Sequence, residues 1–451
     1  MSTLLHTTRD ALGGSPLPAC TSRSLRLTRY AEPTLNDKPQ PTRKQFLESV
    51  IAAKDQRHDD GLNSWRGWLS ATVKPEHLLH AKLEARLLIN MGGTVLENAG
   101  LQLDRFGTAY LPGSAVKACA RRTALATLRQ WCETLTDGLP TKPTGNDDAL
   151  AAACAHPDLK TPSDLLLAII RVFGCTDLEW GHYNPEPKSK DKNDLAWACA
   201  NQWPTLRDTA RTALAKLLAP GSELPAPSSK LAAPTLRGSV SFLPAYPYSR
   251  FAEDLELDVL TSHHQTYYGS NDPNAVATDT ENPIPVYFPS VTAGAVYTFA
   301  ILPVGSTATD SPLITHARTW LQVGLETFGL GAKTAAGYGF FSDQTATINT
   351  ELKTQQAAAQ LAAARTTLAP DTKLLSELKT KKPDQLRGLI NGFAVDAKFW
   401  TNKDESFQLT LLHFATSEDR ALYDAEKANA KSKIIAGLRN LAAKFNRTLP
   451  A

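Results

Sequence analysis

Gly329-Leu330-Gly331-Ala332-Lys333-Thr334-Ala335-Ala336-Gly337-Tyr338-Gly339-Phe340-Phe341 follows directly on a segment, Ser311 to Phe328, whose Leu313, Trp320, Val323, Leu325 and Phe328 recur at helical spacing. A helix is therefore expected to run straight into a glycine-rich loop. The loop lacks the Lys-Ser/Thr pair that follows the second glycine of a mononucleotide P-loop. Nor is it the Gly-x-Gly-x-x-Gly that opens a helix in dinucleotide folds, so spacing speaks against a nucleotide cofactor. Glycines let backbone N–H groups approach an anion closely, and Lys333 supplies a cation among them, so a phosphate backbone is one suitable guest. A plain helix-to-strand connection with a solvated lysine is the other reading.

Upstream, Leu111-Pro112-Gly113-Ser114 precedes Ala115-Val116-Lys117-Ala118-Cys119-Ala120-Arg121-Arg122. The Ala-rich run predicts a helix, with Ser114 at a natural N-cap position. Val116, Cys119, Ala120, Thr123 and Ala124 form its apolar face, while Lys117 and Arg121, four apart, share another with Arg122 beside them. A capped helix N-terminus backed by cations one turn on suits phosphate, although an ordinary amphipathic helix has the same pattern.

Around these two motifs, strand patterns occur from Ala81 to Ile89, at Ser239 to Phe242, Leu255 to Val259, Val286 to Phe288 and Ala295 to Leu302. Strands and helices interleave, which predicts an α+β architecture with helices on a mostly antiparallel sheet. Residues 1–78 read as a turn-rich N-terminal extension, through Gly13-Gly14, Pro16, Pro18, Pro33, Pro39 and Pro41, with a short helix around Arg43 to Asp55. The core is expected over 79–348. Pro-, Ser- and Lys-rich stretches, including Lys188 to Lys192, predict loops or an insertion over about 177–236. Residues 349–451 read as a helical C-terminal appendage, with a short strand near Phe407 to Leu411 and a solvated helix end at Lys379 to Lys382.

Composition narrows the classes. The 451 residues, 42% hydrophobic and 21% charged, are long enough for more than one domain and near globular averages. No apolar run approaches the roughly 18 residues of a bilayer span, and Arg9 and Asp10 interrupt the place of a signal core, so a cytoplasmic chain without membrane contact is expected. Six scattered cysteines lack any Cys-x-x-Cys pair, so no zinc or redox site is predicted from them. The net charge of +3 is too small to mark a nucleic-acid binder, so an anionic partner must be held by a local patch.

Taken together, Pro112-Gly113-Ser114 with Lys117 and Arg121, and Gly329, Gly331, Lys333, Gly337, Tyr338, Gly339 and Phe340, resemble the RAMP superfamily, the RNA-binding subunits of CRISPR systems. Val172-Phe173-Gly174 with Gly238 to Pro247 adds to the resemblance. Leu257 to His264, Tyr267-Tyr268 and Asn282 to Val286 narrow it to the sixth-subunit family of type III-B (Cmr) effector complexes. The likeness spans roughly residues 80–345 and departs at Ala118-Cys119-Ala120, where the family has glycine. It implies a ferredoxin-like core of the RNA-recognition-motif type that holds the 3′ region of the guide RNA (crRNA) without catalysing cleavage. It implies as partners guide and target RNA, other RAMP subunits and the small helical subunit of the complex, with no cofactor and no metal. The RNA-binding residues implied are Gly113, Ser114, Lys117, Arg121, Arg122, Gly329, Gly331, Lys333, Gly337 and Tyr338. Tyr267 and Tyr268 join them from an exposed excursion where such subunits project a thumb-like hairpin. Stacking there would be sequence-tolerant, and anchoring of the loop to its own core is the alternative.

An endoribonuclease reading has its own candidates. His263 and His264 titrate near neutral pH and could act as acid or base. Asp104 lies before the Pro-Gly-Ser turn, where the family's cleaving subunit keeps a metal-assisting aspartate, although a lone carboxylate beside Arg105 falls short of a metal site. Asp258, alternating with apolar neighbours, is expected to face solvent or a subunit interface. A third reading makes the extensions a protein-interaction module.

Overall fold

The computed structural model describes residues 20–29, 43–53, 58–92, 101–136, 139–144, 149–180, 193–218, 235–249, 253–280, 282–305, 307–309, 311–367, 369–395, 400–429 and 431–450. The Gly/Pro-rich positions from Gly13 to Pro41 and the Lys188 to Lys192 run lie outside the described residues. The chain forms two compact units, Met1–Ala346 and Thr347–Ala451.

The first unit is an α+β fold. Its sheet comprises β1 (Leu78–Leu83), β2 (Val240–Phe242), β3 (Val296–Pro303) and β4 (Phe341–Asp343) in the order β4-β1-β3-β2, with every neighbouring pair antiparallel. Tyr246–Pro247 also pairs with β3. The helix α1 (Gly113–Glu133) follows β1, and α2 (Pro312–Thr327) joins β3 to β4; the two pack side by side over the sheet. Sequence alternation places the first strand from Ala81 onward, but the strand begins at Leu78. It is central and covered on both faces, with only Lys82 partly open, so alternation is a poor guide to its bounds.

The helices meet through small residues. A Cβ on Gly324 of α2 would stand 2.3 Å from Thr123 Oγ1 and 2.9 Å from Cys119 Sγ of α1, so only glycine allows this approach. Beside them Trp131, Trp320, Tyr297 and Phe299 are fully buried.

Residues expected to be peripheral contribute to this core. Leu27, Phe46, Leu47 and Val50, from helices Arg23–Thr28 and Arg43–Ala52, are completely covered. Within 177–236, where the sequence predicts loops or an insertion, helices Asp194–Cys199 and Trp203–Leu218 bury Leu195, Cys199, Trp203 and Leu214. Their apolar spacing, interrupted by Pro204, is masked in the sequence by the polar runs on either side. Phe173-Gly174 and Gly238 are neighbours although 64 residues separate Gly174 from Gly238: a Cβ on Gly174 would lie 2.7 Å from Gly238 N, and Gly174 pairs with Arg237.

The strands Leu255–Ser262 and Ile284–Val291 pair with each other, from Leu255↔Val291 to Ser262↔Ile284, as a separate antiparallel hairpin. It is fixed at its base by a bridge from Leu87 to Val291 and by Arg43 Nε, which donates to the Tyr287 carbonyl at 2.8 Å.

The second unit is helical among its described residues: Thr372–Lys379, Pro383–Val395, Glu405–His413, Ala421–Glu426 and Lys433–Lys444 surround Leu386, Ile390, Phe393, Leu411, Leu438 and Phe445. The strand expected near Phe407 to Leu411 is helix. Asp404 accepts from Phe407 N at 2.7 Å and caps it, and Gln408, the polar residue that creates the strand-like alternation, is buried with its amide on the carbonyls of Trp400 and Lys403.

Two outcomes follow for stability. Gly324→Ala should lower the denaturant stability of the first unit by about 1–3 kcal/mol through overpacking. Gly67→Ala, in helix His58–Thr72 with open space around it, should raise it by about 0.5–1 kcal/mol. His80 of β1 is buried, its Nδ1 3.0 Å from Thr298 Oγ1, and burial pulls its pKa down to about 4 against the opposing charge of Asp343. The unfolded chain takes that proton near pH 6.5, so the stabilising contribution is full above pH 6.5 and falls by about 3 kcal/mol as pH drops through 4. His80→Gln should flatten the pH dependence of stability across that window.

Candidate nucleic-acid interface

The glycine loop is bound into the fold by its own backbone. Leu330 N donates to Gly339 O at 2.8 Å, Ala332 N to Leu88 O at 2.8 Å, and Gly339 N to Arg86 O at 2.8 Å. Gly331 and Gly339 have positive φ, and a Cβ on either would collide with a carbonyl, at 2.3 Å from Leu88 O and 2.0 Å from Leu330 O. The loop is thus cinched onto the segment after β1. Its crest, Ala335 to Gly337, is exposed. Lys333 has φ 58° and heads the single 3-10 turn Thr334–Ala336, which Ala336 N closes by donating to Lys333 O. The Lys333 amine lies 4.8 Å from the centroid of the Phe288 ring, on the hairpin.

Tyr338 fastens loop and hairpin together. Its hydroxyl donates to Asp258 Oδ2 at 2.6 Å, and Arg86 pairs with Asp258 at 3.2 Å and Glu256 at 2.6 Å. Burial and then the Asp258 carboxylate raise the pKa of the Tyr338 hydroxyl, which therefore stays a donor at neutral pH. Asp258, expected from alternation to face solvent or a subunit interface, is instead buried within the chain, while Val259 and Leu260 are exposed. The hairpin turns its Asp258 face to the glycine loop, and a charged residue can sit on the inner face because the Tyr338 hydroxyl, the Arg86 guanidinium and the Val259 N–H all meet it there.

The Pro-Gly-Ser helix start is placed elsewhere. Pro112, not Ser114, is the N-cap, and no side chain caps the helix. The helix begins two residues earlier than expected, and Gly113 at its start is pressed against β2: a Cβ there would stand 2.3 Å from Phe242 O. Ser114 is exposed. Of the cations behind it, Lys117 donates to Phe173 O at 2.9 Å, and burial, then Arg121, lowers its pKa. Arg121 pairs with Glu179 at 2.7 Å and Asp194 at 2.6 Å, both in the 177–236 segment. Arg122 reaches the glycine loop instead, donating to Gly329 O at 2.6 Å with its guanidinium 5.0 Å from the Phe328 ring. The structure therefore joins the two motifs through Arg122, about 13 Å along α1 from its start, and turns Lys117 and Arg121 inward.

Tyr267 and Tyr268 are exposed on the short helix Gln265–Gly269 beyond the hairpin's end, edge to face at 5.4 Å. His263 and His264 precede them with ring centroids 6.4 Å apart, and His264 is the N-cap residue. Asp104 Oδ1 accepts from the N–H groups of Phe106 and Thr108 at 2.8 and 2.9 Å, closing the turn between Leu103 and Ala109. Its neighbour Arg105 stacks over Phe106 rather than pairing with it.

Two further features escape sequence reading. Trp68, Trp65, Tyr246 and Tyr110 form a continuous aromatic ladder at 5.2, 5.3 and 5.2 Å. They come from three separate stretches of chain, and only the strand pairing of Tyr246 hints at it. His156, Asp158 and His316 likewise converge, although 158 residues separate Asp158 from His316.

Residues 60–342 match the family model of the RAMP superfamily, and the chain belongs to that superfamily. The resemblance seen in the motifs is thereby borne out. Among individual proteins, the chain is similar to the CRISPR system Cmr subunit Cmr6 of Pyrococcus furiosus, 23% identical over 268 residues. That stretch is 57% of this chain and 65% of the relative's length, just under two thirds. A chain in a cryo-EM structure of the type III-B Cmr-beta bound to cognate target RNA is 12% identical with TM-score 0.34, covering 67% of this chain and 70% of that one. The crystal structure of Cmr6 from Pyrococcus furiosus is 21% identical with TM-score 0.25, covering 59% and 96%. Among the described residues no helix is long and apolar enough to cross a membrane.

Tyr338→Phe removes the hydroxyl that joins loop to hairpin and should cost about 1–2 kcal/mol locally. Hydrogen exchange should then quicken at the amides of Leu330, Ala332 and Gly339. Exchange equal to wild type would show that the loop does not depend on this hydrogen bond.

Proposed function

We propose that this chain is a non-catalytic RNA-binding subunit of a type III-B CRISPR effector complex, holding the 3′ region of the guide RNA on a ferredoxin-like core. Membership of the RAMP superfamily, similarity to a Cmr6 subunit and the β4-β1-β3-β2 order with two connecting helices support this reading. The observation that carries it is the glycine loop: a backbone-locked turn with an exposed crest and Lys333 at its head, joined to a hairpin that ends in two exposed tyrosines. From Asp258, beside the loop, to Ser262 at the hairpin's end is about 13 Å of strand, a span suited to a few nucleotides.

Lys333, the loop glycines 331 and 337, Ser114 and Arg122 would meet the sugar-phosphate chain, while Tyr267 and Tyr268 stack on bases; Gly329, buried beneath Arg122, would hold the loop in place. Lys117, Arg121 and Gly113 would act by positioning α1 and the segment packed on it. Phosphate contacts hold a strand without reading its sequence, as a guide holder requires. Guide and target RNA, further RAMP subunits and the small helical subunit are the partners in this reading, in the cytoplasm. Asp104 is spent on its own turn, which supports a binder over an endoribonuclease.

Binding of several unrelated single-stranded RNAs across a salt series tests this. Lys333→Ala should weaken all of them equally and reduce the salt slope by about 0.7 for each phosphate the protein no longer neutralises. The double change Tyr267→Ala/Tyr268→Ala should cost about 1–3 kcal/mol per stacked base with the slope unchanged. Unaltered affinity in both variants rejects this grip, and cleavage of any RNA by the wild type, with or without Mg²⁺, rejects the non-catalytic assignment.

A further inference from the structure

His156 and Asp158 belong to a tight turn, closed by Leu159 N on His156 O at 3.1 Å, that leads from the 3-10 helix Ala152–Cys154 to the helix Pro162–Phe173. His316 is in the second turn of α2. The Asp158 carboxylate lies between the two imidazoles: Oδ1 is bonded to His156 Nδ1, and Oδ2 is 2.9 Å from His316 Nε2. The two rings stand edge to face at 4.7 Å. One potential ligand atom from each residue lies within 4.8 Å of the other two.

We propose that His156, Asp158 and His316 form a binding site for a divalent transition-metal ion of the Zn²⁺ class, which fastens the 152–158 turn to α2. Two imidazoles and one carboxylate are the donor set that such ions prefer, whereas Ca²⁺ and Mg²⁺ want oxygen alone. Zn–N and Zn–O bonds of about 2.0–2.2 Å put tetrahedral ligand atoms about 3.3 Å apart, so closure needs movement of little more than an ångström.

The surroundings are those of a built site. His316 is only 2% exposed, stacked on Trp320, and Trp320 Nε1 donates to Ala153 O at 2.8 Å, so the same turn and helix are already held in register by a neighbouring bond. The side chains of His156 and Asp158 are 35% and 44% exposed, which opens a path for the ion and leaves a fourth position for water.

The test uses the full chain stripped with chelator, then dialysed against Zn²⁺ or, as a spectroscopic probe, Co²⁺. The wild type should retain one equivalent, show Co²⁺ ligand-field absorption without a thiolate charge-transfer band, and gain melting temperature as Zn²⁺ is raised. His156→Ala, a change at a partly exposed turn, should weaken binding by at least about 100-fold, and Asp158→Asn should do likewise. A wild type that holds no stoichiometric metal overturns the proposal whatever the variants do. So does a thiolate band, or retention by His156→Ala equal to wild type, since the ion would then be elsewhere and the cluster merely a hydrogen-bonded triad.

Discussion

The close approach of α1 to α2 governs the first unit. Thr123 and Cys119 come so near Gly324 that the helices lie almost backbone to backbone, and the same side of α1 then meets the residues that leave α2: Cys119 Sγ and Arg122 both reach Gly329 O. The start of the glycine loop is in this way fixed to the middle of α1. Ala332, soon after that start, is fixed to Leu88 O, and the loop's far end is fixed to Arg86 O through Gly339 N. A loop anchored at both ends by backbone bonds can present a cation without spending side-chain contacts on its own shape.

Charge is distributed by the same packing. The basic side of α1 serves two surfaces: Lys117 and Arg121 hold the segment that follows Phe173, and Arg122 holds the loop. Lys333 stands over an aromatic face and has no carboxylate partner among the described ion pairs. A net charge of +3 therefore understates how unevenly cations are committed.

Much of this architecture is legible in the residues. The helix running into the loop, the helix after Pro112 and the α+β interleaving all follow from periodicity and glycine placement, because they depend on local chemistry. Strand bounds are less legible, since β1 is covered on both faces and shows no clean alternation, and Asp258 reads as outward until its donors, Tyr338 and Arg86, arrive from 80 and 172 residues away. The Phe407–Leu411 helix reads as a strand because a buried glutamine imitates a strand's polar beat. The His156–Asp158–His316 cluster leaves no spacing signal at all, as His-x-Asp is common and the third member lies on another element.

The strand order has a consequence for biosynthesis. Both neighbours of β1 lie more than 200 residues further along the chain, Ala300 opposite Leu78 and Phe341 opposite Leu83. At about 5–20 residues per second, a ribosome needs at least about ten seconds after finishing β1 to supply them. For that interval the apolar run Leu78, Leu79, Ala81 and Leu83 has no sheet to join. Helices α1 and Pro162–Phe173, which pack on each other, can collapse earlier and shelter it, so nascent-chain survival rests on the helical layer forming before the sheet.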